Sequence, residues 1–176
     1  SIVRDQIFQP HKPLRSDYCT WRGVINADDV ADLNIPISSY IVMGPRLSFV
    51  FYYVSGGKRI NWLAMGPTNN SLQESWSQTA EKDQLLKAFE SWYEVPRRFV
   101  EATKKPFVTA LYDRDPLETW VKGRITVMGD AAHAMLPYHA QGAGQSIEDS
   151  WVLARLIELN YRSPNKGLRD YEALRK

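Results

Sequence analysis

Cysteine is almost absent: Cys19 is the lone cysteine among 176 residues. One thiol cannot close an internal disulfide, which excludes a disulfide-stapled scaffold and points to a reducing, cytoplasmic setting with Cys19 as a small buried hydrophobe. A surplus of either charge is missing too. Lys and Arg number 22 against 20 Asp and Glu, a net +2, and no block of five or more like charges occurs. That leaves no electrostatic footprint for nucleic acid or an anionic membrane. No apolar run approaches the roughly 18 residues of a membrane span, and Ser1 to Gln6 does not read as a signal peptide. His11, His133 and His139 fall into no metal-ligand spacing, and no Ser/His/Asp or Cys/His arrangement is signalled. What remains is a chain that is 44% hydrophobic, enough for an ordinary globular core. Its aromatic share of 12% includes 6 Trp and 9 Tyr, suiting a large core or a site for a flat ligand.

Taken in order, Pro10 and Pro13 sit in a loop that enters a strand at Tyr18 to Gly23. Ala27 to Leu33 reads as a short helix with Asn26 as N-cap. Residues 40–43 and 47–54 are β-branched and aromatic, split by a Gly44-Pro45 turn. Ser55-Gly56-Gly57-Lys58 reads as a hairpin turn, and Arg59 to Met65 as the return strand. Phe49, Phe51 and Tyr53 share one face of the first strand, and Trp62 lies on its partner. Gly66 to Ser77 reads as a polar loop, and Glu81 to Tyr93 as an amphipathic helix with Leu85, Phe89 and Trp92 on its apolar stripe. Pro96 ends that helix and opens another through Val100 and Thr103. Phe107 to Tyr112 is a further strand, turned by Asp113-Arg114-Asp115-Pro116. The last helical pattern carries Leu168, Tyr171 and Leu174.

Between these elements lies the stretch with chemistry in it. Ile125-Thr126-Val127-Met128 reads as a short buried strand leading into Gly129-Asp130. Then come Ala131-Ala132-His133, Pro137, and a Gly-rich turn of Gln141-Gly142-Ala143-Gly144. A helix with Ile147, Trp151, Val152, Leu156 and Ile157 at apolar spacing follows. A carboxylate after a strand can accept from a sugar hydroxyl. Glycines without Cβ let backbone N–H groups approach a flat ligand closely, and the helix turns its positive end toward the loop. Each piece alone is ordinary turn chemistry; the order and spacing together are specific.

That stretch resembles the second FAD-binding motif of the class A flavoprotein monooxygenases, the aromatic hydroxylases, in their salicylate hydroxylase-like branch. The family pattern is Gly-Asp, Ala-Ala-His, a Pro four residues on, a Gly-rich turn and Glu-Asp. It is matched by Gly129-Asp130, Ala131-Ala132-His133, Pro137, Gln141 to Gly144, and Glu148-Asp149. Tyr18 to Gly23, Gly44-Pro45, Tyr112 to Pro116 and Trp120 extend the likeness over most of the chain.

The resemblance implies an α+β fold: an antiparallel or mixed β-sheet substrate domain with helices, plus the C-terminal strand–helix part of a Rossmann-like FAD-binding domain. The implied division is 1–16 as a remnant of the FAD-binding domain and linker, 17–116 as the β-sheet substrate domain, and 117–176 as the C-terminal part of the FAD-binding domain. It implies FAD as cofactor and NAD(P)H as co-substrate, with Gly129, Asp130, Pro137, Gln141, Gly142, Ala143 and Gly144 binding FAD. The implied reaction is oxygen transfer from a flavin hydroperoxide to a small aromatic, phenolic acid-like substrate, with molecular oxygen consumed. Phe49, Phe51, Tyr53, Trp62 and Pro137 are the expected substrate pocket. Some relatives carry a His at the position matched to Phe51, so a His acting on substrate from that strand is not carried over. His133 is expected to support structure more than catalysis, His139 carries no assigned role, and Glu148 and Asp149 are expected as helix-dipole partners.

No Gly-x-Gly-x-x-Gly fingerprint follows any strand, and Ser1-Ile2-Val3-Arg4 matches a family segment that follows an Asp-Gly motif absent here. The reading is therefore of a C-terminal portion whose N-terminal half lies elsewhere in the same protein, the chain by itself being inactive. Two other readings stand beside it. One is an inactive fragment with a substrate-type sheet and an incomplete flavin site; the other is a related flavin-dependent reductase or halogenase.

Overall fold

The computed structural model describes residues 1–8, 13–67 and 78–176. The Pro10 loop, His11 and most of the loop expected over Gly66 to Ser77 lie outside the described residues. Two compact units emerge: Ser1–Arg15 with Tyr112–Lys176, and Ser16–Leu111. The second boundary therefore falls earlier than the expected 116/117. Asp115 and Leu117 belong with the first unit for a physical reason. The Asp115 carbonyl accepts from Arg4 Nη2 at 2.9 Å, and Leu117 is buried beside Phe8, Trp120, Val127 and Tyr171.

The Ser16–Leu111 unit is built on a six-stranded sheet of order β2-β3-β4-β1-β6-β5. Its strands are β1 (Leu14–Asn26), β2 (Ser39–Gly44), β3 (Leu47–Val54), β4 (Arg59–Pro67), β5 (Gln78–Thr79) and β6 (Phe107–Asp113). The pairs β1·β4, β2·β3, β3·β4 and β5·β6 are antiparallel. The β3–β4 hairpin turns through Ser55, Gly56 and Gly57, all at positive φ. Two glycines are what such a turn requires. A 3-10 helix over Ala27–Leu33 stands where a short helix was expected, with Asn26 flanking it but making no side-chain cap.

Alternation along β3 and β4 sets the core. Phe49, Phe51, Ile60, Trp62 and Ala64 are buried, while Val50, Tyr52, Asn61 and Leu63 are half-buried. Phe49 stacks on Trp62 with ring centroids 5.4 Å apart, and Phe51 stacks on Tyr40 at 4.7 Å. Two helices, α2 (Lys82–Ala88) and α3 (Glu94–Ala102), seal that face. Phe89, just past α2, meets Phe49 edge-on at 5.4 Å, and Phe99 meets Phe51 at 5.0 Å. The indole N–H of Trp62 donates to Thr103 Oγ1 at 2.9 Å, so the one polar atom of that ring is satisfied in the core. The helix expected over Glu81 to Tyr93 is shorter. Phe89 leaves helical geometry (φ −103°, ψ 9°), its ring is held by Phe49 and Trp92, and the chain restarts at Glu94.

The other unit carries α1 (Ile2–Ile7), the hairpin β7 (Val121–Lys122) and β8 (Ile125–Thr126), α4 (Asp130–His133), a 3-10 turn at Pro137–His139, α5 (Gly142–Leu159) and α6 (Pro164–Arg175). Its core gathers Phe8, Leu117, Trp120, Val127, Ala132 and Tyr171, with Val152, Leu153 and Leu156 of α5 packed against it. The buried strand expected over 125–128 is only two residues long. From Val127 the chain leaves the ladder, its N–H bonded to the Trp120 carbonyl at 3.1 Å. The apolar stripe expected on α5 divides. Val152 and Leu156 face the core, whereas Ile147 and Trp151 are each 70% exposed.

Candidate flavin site

Gly129 is where the site is fixed. Its backbone adopts φ 55° and ψ −142°, a region essentially confined to glycine. A Cβ built on it would lie 2.7 Å from Ser146 Oγ, so space forbids a side chain as well. Its N–H donates to Asp149 Oδ2 at 2.8 Å. The turn thus presents Asp130, the first residue of α4, as an exposed carboxylate.

Asp149 is the hub of this geometry. It is fully buried in α5, on the same helical face as Val152, Leu153 and Leu156. Besides Gly129, it accepts from His133 Nε2 at 2.7 Å and from Arg175 Nε at 2.7 Å. One carboxylate therefore ties the Gly-Asp turn, α4, α5 and α6 together. Burial pushes its pKa up, but the hydrogen bonds from Arg175, Gly129 and His133 outweigh burial and hold it below the usual carboxylate range. An ionised carboxylate only accepts, which fixes the proton on His133 Nε2. Asp149 is thus no helix-dipole partner, as the sequence reading had it; it lies too deep in the helix and is already neutralised by Arg175. Glu148 also pairs with Arg175, at 3.1 Å. His133 lies beside Trp120, with ring centroids 5.2 Å apart and planes tilted by 38°. His139 is exposed.

A second anchor is Arg4, only 1% exposed. Its Nη1 donates to the carbonyls of Ala131 at 3.0 Å and Ala132 at 3.5 Å, and so holds the other side of α4. Burial, with Arg114 nearby, lowers its pKa. Neither Arg4 nor Arg175 was singled out from sequence. The Ser-Ile-Val-Arg segment was the one available signal for the first; none pointed to the second.

The Gly-rich residues lie within α5 itself rather than in a loop before it. Gln141 is the N-cap, and Gly142, Ala143 and Gly144 form the first turn. The first ladder bond runs from Gln145 N–H to the Gln141 carbonyl at 2.9 Å, which leaves the N–H groups of Gly142, Ala143 and Gly144 outside the helical ladder. A Cβ on Gly142 would lie 3.9 Å from Asp130 Oδ1, so the free carboxylate and the open helix end are neighbours. Pro137 opens the 3-10 turn, and Ala140 at φ 52° turns the chain into Gln141. An acceptor beside a set of free donors and a helix dipole fits a ligand that offers hydroxyls at one edge and electron-rich atoms at another.

All 176 residues match the family model described as FAD binding domain. The chain belongs to the FAD-dependent aromatic monooxygenase family. It is 33% identical over 164 residues to 3-amino-4-hydroxybenzoate 2-monooxygenase PtmB3 of Streptomyces platensis, covering 93% of this chain and 41% of that protein. It is 29% identical to salicylate hydroxylase of Pseudomonas putida, covering 89% and 39%. Among solved structures it resembles CtdE in complex with FAD and substrate, with a TM-score of 0.86 at 25% identity, covering 99% of this chain and 47% of that one. A salicylate hydroxylase substrate complex gives a TM-score of 0.82 at 26% identity, covering 98% and 46%. The chain thus spans less than half the length of these relatives. The antiparallel sheet with flanking helices is the fold they share with it.

The residues expected to line a substrate pocket lie in the core of the sheet unit. Phe49 and Trp62 are 0% exposed and Phe51 2%, closed in by Phe89 and Phe99 within their own unit. Tyr53 is half-buried and spends its hydroxyl on the Ile35 carbonyl at 2.8 Å. These four side chains face the helix-covered core, which corrects their assignment to a ligand. Val50, Tyr52, Asn61 and Leu63 lie on the opposite face of the sheet and are half-buried.

Among the described residues no cluster of His, Cys, Asp or Glu could hold a metal, and no helix is long and apolar enough to cross a membrane.

Proposed function

We propose that the flavoenzyme carrying this chain hydroxylates a small aromatic acid at the expense of NAD(P)H and molecular oxygen, and that Gly129 to Gly144 holds its FAD. The observation that carries the reading is the exposed Asp130 carboxylate beside the open N-terminus of α5. Asp130 accepts from cofactor hydroxyls. The N–H groups of Gly142, Ala143 and Gly144 donate to the electron-rich edge of the flavin, where negative charge accumulates on reduction. Gln141 caps the turn that presents them, and Pro137 stiffens its approach. FAD, when bound, supplies hydride acceptance and oxygen activation; the chain supplies orientation and charge. In this reading the pyrophosphate site is contributed by sequence outside these 176 residues, consistent with the greater length of the relatives, and the protein works in the cytoplasm.

The test is Asp130→Ala in the FAD-loaded enzyme. Loss of a charge-assisted hydrogen bond weakens FAD binding about ten- to a hundred-fold, with the circular dichroism melt unchanged. Full flavin content and unaltered affinity in the variant refute the assignment.

A further inference from the structure

Close backbone contact fixes how α6 lies on α5. A Cβ on Gly167 would lie 2.7 Å from the Leu156 carbonyl oxygen and 3.2 Å from Ile157 Cα, so a glycine is what lets the two backbones meet there. Leu168 and Tyr171, both buried, set the rotation of α6. Arg175 follows Tyr171 by one helical turn and so arrives on the same side, against the start of α5. Its guanidinium meets three residues of one α5 face. Nη2 donates to Gln145 Oε1 at 2.6 Å, Nη1 to Glu148 Oε2 at 3.1 Å and Nε to Asp149 Oδ1 at 2.7 Å. Those three positions stand in the i, i+3, i+4 relation that makes helix residues neighbours. The other Asp149 oxygen accepts from Gly129 N–H at 2.8 Å. One side chain thus fastens both walls of the flavin loop: the turn that presents Asp130, and the first turn of α5 that presents the Gly142, Ala143 and Gly144 N–H groups. Hydrogen bonding to Asp149 raises the pKa of Arg175, so the cation persists. The loop otherwise gathers acids, namely Asp130, Glu148 and Asp149. Arg4, the cation on the far side of α4, bonds backbone carbonyls instead.

We propose that Arg175 is a positioning residue that sets both how tightly FAD is held and how readily it is reduced. This rests on the flavin site proposed above and adds a residue that acts through Gln145 and Asp149. Two effects come from one group. The fork fixes geometry, because Asp130 and the first-turn N–H groups keep their spacing only while α5 and the Gly129 turn are fastened together. Its charge offsets the acids. Without it, the negative charge that reduction places on the flavin faces Asp130, Glu148 and Asp149 uncompensated. Geometry weighs on both oxidation states of the cofactor alike, whereas charge weighs on the reduced state.

The test compares Arg175→Gln, Arg175→Lys and a control, Arg155→Gln, in the full-length enzyme. Arg155 lies on α5 too, but it pairs with the exposed Glu158 at 2.6 Å, away from the loop. Fluorescence titration gives the affinity for oxidised FAD, and spectroelectrochemistry gives the midpoint potential of the bound flavin; neither depends on turnover. Arg175→Gln weakens oxidised FAD about ten-fold and reduced FAD about ten-fold further, which lowers the midpoint potential by about 30 mV for a two-electron couple. Arg175→Lys keeps the charge without the fork, so FAD binds about three- to ten-fold more weakly while the ratio of the two affinities stays within about two-fold of wild type. Arg155→Gln changes neither. A general loss of stability lowers the melting temperature but leaves that ratio alone. Wild-type FAD affinity in Arg175→Gln, an unchanged midpoint potential there, or an equal shift in Arg155→Gln each overturn the proposal. Should Arg175→Gln fail to fold, Arg175→Lys decides: weaker FAD at an unchanged midpoint supports the clasp, and wild-type affinity refutes it. A wild-type enzyme that takes up no FAD refutes the flavin reading itself. A loaded enzyme indifferent to Arg175 refutes the clasp alone.

Discussion

Replacing Asp149 by Ala removes one carboxylate and three hydrogen bonds at once, from Gly129 at 2.8 Å, His133 at 2.7 Å and Arg175 at 2.7 Å. Breaking a buried ion pair by deleting one partner costs about 3–5 kcal/mol, because the remaining charge is stranded. Here Arg175 is not fully stranded. Its side chain is 17% exposed and keeps Glu148 at 3.1 Å and Gln145 Oε1 at 2.6 Å, so the cost belongs near the lower end, about 3 kcal/mol. In a protein of this size that is a fall in melting temperature of roughly 6–12 °C. Urea unfolding followed by circular dichroism measures it. The same variant frees Gly129 N–H, so FAD affinity of the full enzyme falls as well, although Asp149 touches no ligand. Acid provides an internal check. The folded carboxyl titrates lower than the unfolded one, so near pH 4 the unfolded chain binds the proton more readily. This part of the stability is present above about pH 4 and is lost as pH falls through the lower, folded value. The gap between wild type and Asp149→Ala must therefore narrow in acid. A cost under 1 kcal/mol at neutral pH, or a gap that widens in acid, refutes the hub.

Gly129→Ala meets both the positive φ and Ser146 Oγ at 2.7 Å; it should lose about 1–3 kcal/mol and most of its FAD affinity, read by thermal melting and flavin content. A Gly129→Ala protein as stable as wild type would show that the turn relaxes freely. Phe51→Ala empties a site within the aromatic core and should cost about 3–5 kcal/mol in urea unfolding, whereas Tyr52→Ala on the other face should cost under about 1.5 kcal/mol and instead change kcat/KM or the coupling of NAD(P)H oxidation to hydroxylation. Reversal of that pattern would mean that the faces are assigned backwards. Trp62→Phe strips Thr103 Oγ1 of its donor and should cost about 1–3 kcal/mol, partly restored by pairing it with Thr103→Val; additive losses in the double mutant would break the link.

The sequence alone determined the hairpin, because Ser55-Gly56-Gly57-Lys58 between two alternating aromatic runs admits few other structures, and it marked Gly129-Asp130 as a turn; the Gly142-Ala143-Gly144 triplet, read as a loop, opens α5 instead. Capping, turn chemistry and alternation act over a few residues and can be read in one dimension. Which face of β3 becomes core could not be read that way. Phe51 and Tyr52 are both aromatic and both suit a strand, and only the arrival of Phe89 and Phe99 over one side decides between them. Asp149 was legible as an acid in a helix, but its meaning depends on Gly129 and Arg175, which lie 20 and 26 residues away along the chain. Long-range pairing is where burial, and with it the strength of every charge and hydrogen bond, is set.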